Sequence, residues 1–144
     1  SIDGLTVANN AFRTINGAVD RVEMVDTSDA TLNFAAFKDV IFTGNNYTNV
    51  TQATTSPVLI EKAQNTEAST WTLDASGYMP FGGRARNVMG VVLEGPVTNA
   101  SDTANFAYPY VLVEQGTGGQ SVSLKWPAAL KGKAQVTVRC DNPE

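Results

Sequence analysis

Two stretches of this chain, GLTVANNAF at residues 4–12 and DVIFTGNNY at 39–47, superimpose without a gap at an offset of 35. Leu5 falls on Val40, Val7 on Phe42, Asn10 on Asn45 and Phe12 on Tyr47. A fixed period of this size is the mark of a stacked array, in which each unit covers its neighbour. Halving the offset leads to Val22-Glu23-Met24, and a further half-step beyond Val40 leads to Val58-Leu59-Ile60. Apolar-x-apolar triplets thus begin at 5, 22, 40 and 58. Triplets of this kind favour strands, with the inward pair at i and i+2. The spacing predicts four stacked coils. Leu5, Val22, Val40 and Val58 form one inward column, and Val7, Met24, Phe42 and Ile60 form the other.

Asparagine beside such strands has a physical use. A coil that turns a corner needs residues that tolerate left-handed backbone, and Asn and Gly both do. Equivalent Asn side chains in stacked coils also bond one another as a ladder. Asn10 and Asn45 are the candidates, although the intervening unit carries Thr27 at that place. The plainer alternative is a loop dipeptide in an Asn- and Thr-rich chain.

From residue 88 the pattern changes. Strand-like runs at 87–95, 106–116, 120–126 and 133–140 are separated by the turn signals GPVTNASD and QGTGGQ. Val136 and Val138 alternate with Thr137 and Arg139, as do Val122, Leu124 and Trp126 with Ser123 and Lys125. This alternation predicts an antiparallel, sandwich-like sheet of about four to six strands with one buried face. The expected organisation is coils over 1–66, a Gly- and Pro-punctuated crossover over 67–87, and an antiparallel capping domain over 88–144. A coil array leaves its last edge open, and a following sheet can cover it. The outward triplet residues run Thr6, Glu23, Ile41, Leu59, from polar to apolar. Ile41 and Leu59, together with Trp126, are therefore candidates for contact with another chain.

Composition narrows the functions. The 144 residues carry 10 basic and 14 acidic side chains, a net charge of −4, which gives no electrostatic reason to expect nucleic acid. No apolar run reaches membrane-spanning length. There is no histidine and a single cysteine, Cys140, so a His-based triad and the usual zinc sites are excluded, and neither a metal nor an organic cofactor is expected. An array that opens within four residues of Ser1 predicts the C-terminal part of a longer chain.

The coil motifs VANNAF and FTGNNY, the change to antiparallel patterning and the short final strand together resemble the C-terminal part of a bacteriophage tailspike. The resemblance implies an all-β fold, the last coils of a parallel β-helix followed by an antiparallel β-sandwich-like C-terminal domain. It implies a homotrimer in the virion tail that acts outside the cell on bacterial surface polysaccharide. The full-length protein is then expected to cleave that polysaccharide by hydrolysis or elimination, using carboxylates.

A glycoside hydrolase needs two carboxyl groups at a set separation. Asp20, Glu23, Asp26 and Asp29 are the acidic cluster to weigh, against their reading as turn residues on a solvated face. No residue matches the family closely enough to take over a catalytic role, so this segment is expected to bring structure rather than chemistry. A stand-alone, jelly-roll-like glycan-binding module is the competing reading. Tyr108 and Tyr110, flanking Pro109, are its best sugar-stacking candidates. Arg84 and Arg86 are candidates for an anionic sugar or for an ion pair between chains.

Overall fold

The computed structural model describes residues 1–143. Strands β1 (Asp3–Ala8) and β2 (Ala11–Arg13) form a first coil, and β3 (Lys38–Thr43) and β4 (Asn46–Thr48) form a second directly against it. Both pairings are parallel and keep the 35-residue register, with Leu5 opposite Val40, Val7 opposite Phe42 and Phe12 opposite Tyr47. The Phe12 and Tyr47 rings stack with centroids 5.6 Å apart. Asn45 Oδ1 accepts from the Asn10 backbone N–H at 2.9 Å and from Asn10 Nδ2 at 3.3 Å. Asn45 Nδ2 in turn donates to the Val7 carbonyl at 2.9 Å. The asparagine ladder is therefore present.

Between β1 and β2, and again between β3 and β4, the chain turns a corner through left-handed backbone. Asn9 has φ 58° and its counterpart Gly44 has φ 65°. Glycine is favoured at the second corner for a further reason, because a Cβ on Gly44 would force the Asn9 side chain to move.

Two of the four expected strands lie outside this stack. Residues 22–24 form no strand, and Met24 is 70% exposed. Between Arg13 and Lys38 the chain makes one bridge, Val19 to Val50, and one 3-10 turn at Phe34–Ala36. Its Asp and Asn side chains bond local backbone instead, Asp26 accepting from the Ser28 N–H and Asn33 from the Ala35 N–H. The 35-residue offset thus joins two pairs of short parallel strands, and no strand pairing at half that spacing occurs among the described residues. An apolar-x-apolar triplet recurs too easily in a chain that is 42% hydrophobic to mark a coil alone. After the second coil the chain doubles back, and Ser56 exchanges both backbone hydrogen bonds with Phe42 in antiparallel sense, each 3.0 Å. Residues 58–60 are extended but do not stack on Val40–Phe42. They open β5 (Val58–Asp74), which runs antiparallel to a later strand. This strand passes through residue 66, so the stretch expected as a crossover begins inside it.

The remaining strands are β6 (Asn87–Leu93), β7 (Val97–Thr98), β8 (Ala104–Asn105), β9 (Tyr110–Gln115) and β10 (Ser121–Arg139). With β5 they make one six-stranded antiparallel sheet. β10 is its centre, pairing with β5 along one edge and with β9, then β7, then β6 along the other. The two final strands read from the sequence are the two halves of β10. Pro127, which has no N–H to give a ladder, sits where the register with β5 slips between Lys125 and Leu130.

Coils and sheet share one core. Val40 and Phe42 of the second coil pack in the same buried cluster as Val58, Trp71 and Leu73 of β5 and Leu124, Val136 and Val138 of β10. A polar seam fixes the contact. Asp141 is fully buried; its Oδ2 accepts from the Val40 N–H and from the Arg139 guanidinium, both at 2.9 Å, and its Oδ1 accepts from Arg139 Nε at 2.8 Å. The neighbouring Cys140 N–H donates to Ser56 Oγ at 3.0 Å.

Two expectations follow. Gly44→Ala should destabilise the fold by at least about 1–2 kcal/mol in urea unfolding, because alanine disfavours left-handed backbone and its methyl displaces Asn9. Burial also pushes the Cys140 thiol from its ordinary 9.0 up to about 11. The folded chain therefore keeps its proton where the unfolded chain has lost it, and stability falls as pH rises from 9 toward 11. At pH 8 the native thiol should resist an aromatic disulfide reagent and react at once in denaturant.

Candidate functional site

The residues singled out from the sequence separate in space. Of the acidic cluster, Asp20 pairs with Arg21 Nε at 3.1 Å, and Asp26 holds its own turn. That turn N–H keeps the Asp26 carboxyl below its ordinary value. Asp29 is exposed. Glu23 differs, because its side chain is buried against Thr54 and the 3-10 turn at Pro80–Gly82. Its Oε1 accepts from Thr54 Oγ1 at 2.8 Å and from the Phe81 N–H at 3.3 Å, with Arg21 at 3.8 Å. Its Oε2 is buried without a partner among the described residues. Burial and this carboxylate together push the Tyr47 phenol above its ordinary range. Glu23 thus ties the long segment between β2 and β3 to the rest of the molecule. Arg21 lies between two members of the cluster, with Nε on Asp20 and Nη1 on Glu23, so these two carboxylates share one guanidinium while Asp26 and Asp29 stand apart.

Arg84 and Arg86 are matched within the chain. Both reach Glu114 Oε1, at 4.0 and 3.3 Å, and Glu114 is held at φ 53° where its N–H donates to the Ala85 carbonyl. The Arg84 stem also lies across Gly119. This intrachain pairing corrects the expectation for Arg86, whose side chain is mostly covered, while Arg84 stays half-exposed with its guanidinium at the outer limit of an ion pair. Trp126 is corrected likewise. It is buried against Trp71, ring centroids 4.6 Å apart, and is not available for a contact between chains. Ile41 is half-buried, while Leu59 is 56% exposed.

The exposed aromatics lie elsewhere, before and at the start of β9. Tyr108 is 82% exposed, Tyr110 is 64% exposed, and Phe106 is fully exposed. The three rings alternate with the half-buried Ala107 and Pro109. Phe106 and Tyr108 border a pocket of about 430 Å³ whose floor includes Leu93, Pro96, Val97 and Ala107. One wall is the short hairpin β7–β8, held to β10 by the single pairing Thr98 to Lys131 and by a 2.7 Å ion pair from Lys131 to Asp102. Sequence reading reached Tyr108 and Tyr110 through Pro109 but missed Phe106. The signal was available in the aromatic spacing of FAYPY, where rings recur at every second residue. The pocket itself was not legible, because its walls come from segments that only the sheet topology brings together.

Comparison with protein-family models, curated proteins and solved structures gives no match.

The two kinds of carboxylate should separate in mutagenesis. Glu23→Ala removes the acceptor of a buried hydroxyl and a backbone N–H, and should lower unfolding free energy by about 1–3 kcal/mol. The double change Asp26→Asn, Asp29→Asn should stay within about 0.5 kcal/mol, since both sites are exposed. Parallel urea titrations of the two variants check this.

Proposed function

We propose that this chain is the C-terminal capping and assembly region of a bacteriophage tailspike that recognises bacterial surface polysaccharide. In this reading the two stacked coils are the last turns of a parallel β-helix, and the antiparallel, sandwich-like sheet closes them off and holds three copies together.

One observation carries the proposal: in the β1–β3 layer the edge of β3 is closed and that of β1 is open, while the β2–β4 pair has no further strand on either edge among the described residues. The outer edge of β3 is occupied by Asp141 at the Val40 N–H and by Ser56 at both backbone groups of Phe42. The outer edge of β1 and β2 has no strand beside it among the described residues. An open row of strand N–H and C=O groups is a template for another strand. A further coil in the same register would extend both the Asn10–Asn45 ladder and the Phe12–Tyr47 stack. The closed edge of β3 is what the end of a stack requires, since terminal units need a distinct cap.

The assembly half of the proposal rests on the outer face of the sheet. Leu59, Met89 and Val92 are exposed there on β5 and β6, with Leu59 and Gly90 both in register with Thr137. Closed rotational symmetry buries such a patch on identical chains. Three-fold closure, the virion setting and the polysaccharide come from the resemblance of the coil motifs to tailspikes. Cleavage, by hydrolysis or elimination, is assigned to the full-length tailspike and not to the acidic residues of this segment. The exposed rings of Tyr108 and Tyr110 favour the second reading, a glycan-binding module that works as a monomer.

Sedimentation equilibrium at micromolar concentration decides between the two. The expected result is the mass of three chains, and a monomeric mass would leave the binding module as the better account. Leu59→Asp should shift the trimer toward monomer by several kcal/mol in total, about 2 or more per buried charge, with an unchanged circular dichroism spectrum.

A further inference from the structure

We propose that the pocket beneath Phe106 and Tyr108 is a binding site for a neutral saccharide, with the two rings stacking on the apolar face of one sugar unit. The choice of a saccharide rests on the polysaccharide-recognising reading above. The location and the demand for an uncharged, amphipathic ligand rest on the pocket alone.

Size comes first. At about 430 Å³ the pocket falls in the range of small-ligand sites, about 300–1,000 Å³. Charge comes second. None of the residues lining it is charged. The charges nearby are engaged: Lys131 with Asp102, and Glu94 with Gln135. An anionic ligand would find no counter-charge in the lining, and a cation no carboxylate.

Shape and chemistry come third. A pyranose ring offers a flat C–H face and an edge of hydroxyls. The first suits a tyrosine or phenylalanine ring, and the second suits the Asn105 amide, the Tyr108 hydroxyl and water. Phe106 stands fully exposed at the lip. It is therefore free to close on a ligand without disturbing the core. Tyr110 continues the row outward onto the sheet, where it lies beside Lys125 in register. That continuation gives room for a second sugar unit beyond the pocket.

The test is a titration of the 144-residue chain, followed through its aromatic ring resonances. The probes are neutral gluco-, galacto- and manno-oligosaccharides, oligogalacturonate as the acidic counterpart, and decanoate as a purely apolar one. The expected result is saturable shifts of Phe106 and Tyr108 with a neutral oligosaccharide. Affinity should fall by about tenfold or more in Phe106→Ala and in Tyr108→Ala, and Tyr108→Phe should retain most of it. These side chains are exposed, so the variants should keep the wild-type unfolding midpoint.

No saturable shift across the neutral probes would overturn the inference. So would tighter binding of oligogalacturonate, or a response to decanoate alone. Ring shifts that follow protein concentration without any sugar would assign the rings to a contact between copies and overturn it too. The outcome is separable from the assembly reading. A trimer that binds no neutral sugar refutes only the pocket, and a monomer that binds one refutes only the trimer.

Discussion

The join between coils and sheet depends on one buried carboxylate. Asp141 lies just past the end of the sheet's central strand, yet it bonds a backbone N–H in the middle of the second coil. Its charge is tolerated only because Arg139, two residues earlier, meets it with two hydrogen bonds. A buried ion pair of this kind is weak evidence for added stability, since desolvation offsets most of the attraction. Its value here is positional. The Val40 N–H fits one placement of β10 against β3, because Arg139 moves with Asp141 and a shift of either strand by a residue would leave that buried N–H without its acceptor. Cys140, between the two, repeats the logic with its bond to Ser56, which also closes the edge of Phe42.

Around this seam, beside the Phe12–Tyr47 stack, two groups of aromatic residues have different surroundings. Phe34, Phe37, Phe42 and Phe81 meet edge to face, with centroids 5.3 to 6.0 Å apart, where the long segment after β2, the second coil and the turn at Pro80–Gly82 converge. Trp71 and Trp126 fill the sheet's inner face. The second population, Phe106, Tyr108 and Tyr110, stands apart in solvent. An all-β chain with a sufficient core has no need of three further rings in water, which is why their purpose is sought in binding.

The parts of the fold legible in the sequence were those in which a local pattern and a distant one agreed. The 35-residue offset was real because Leu5, Val7, Asn10 and Phe12 each found an equivalent, and four coincidences at one spacing rarely arise without a shared structure. The alternation in β10 was equally plain. What failed rested on a single cue. Val22-Glu23-Met24 had the triplet but no Asn and no aromatic in register, and it proved to be part of an irregular segment with Glu23 turned inward. Val58-Leu59-Ile60 was a strand, but nothing local distinguishes a parallel neighbour from an antiparallel one. Arg86 and Trp126 were misjudged for a related reason. Whether a side chain meets water, another chain or its own depends on partners such as Glu114 and Trp71, which lie far along the sequence.

The position of β10 has a consequence for how the molecule comes into being. Each of β5, β6, β7 and β9 pairs with a strand synthesised after all of them. Until β10 emerges, β5 is a 17-residue ribbon with no mate, and the second coil has no carboxylate at Val40. Local contacts cannot carry such a chain through its early moments, and loop-closure entropy must be met before the long-range pairings form. The edges of β5, β6 and β9 that meet β10 therefore stay without their mate in the growing chain until residues 121–139 have followed them.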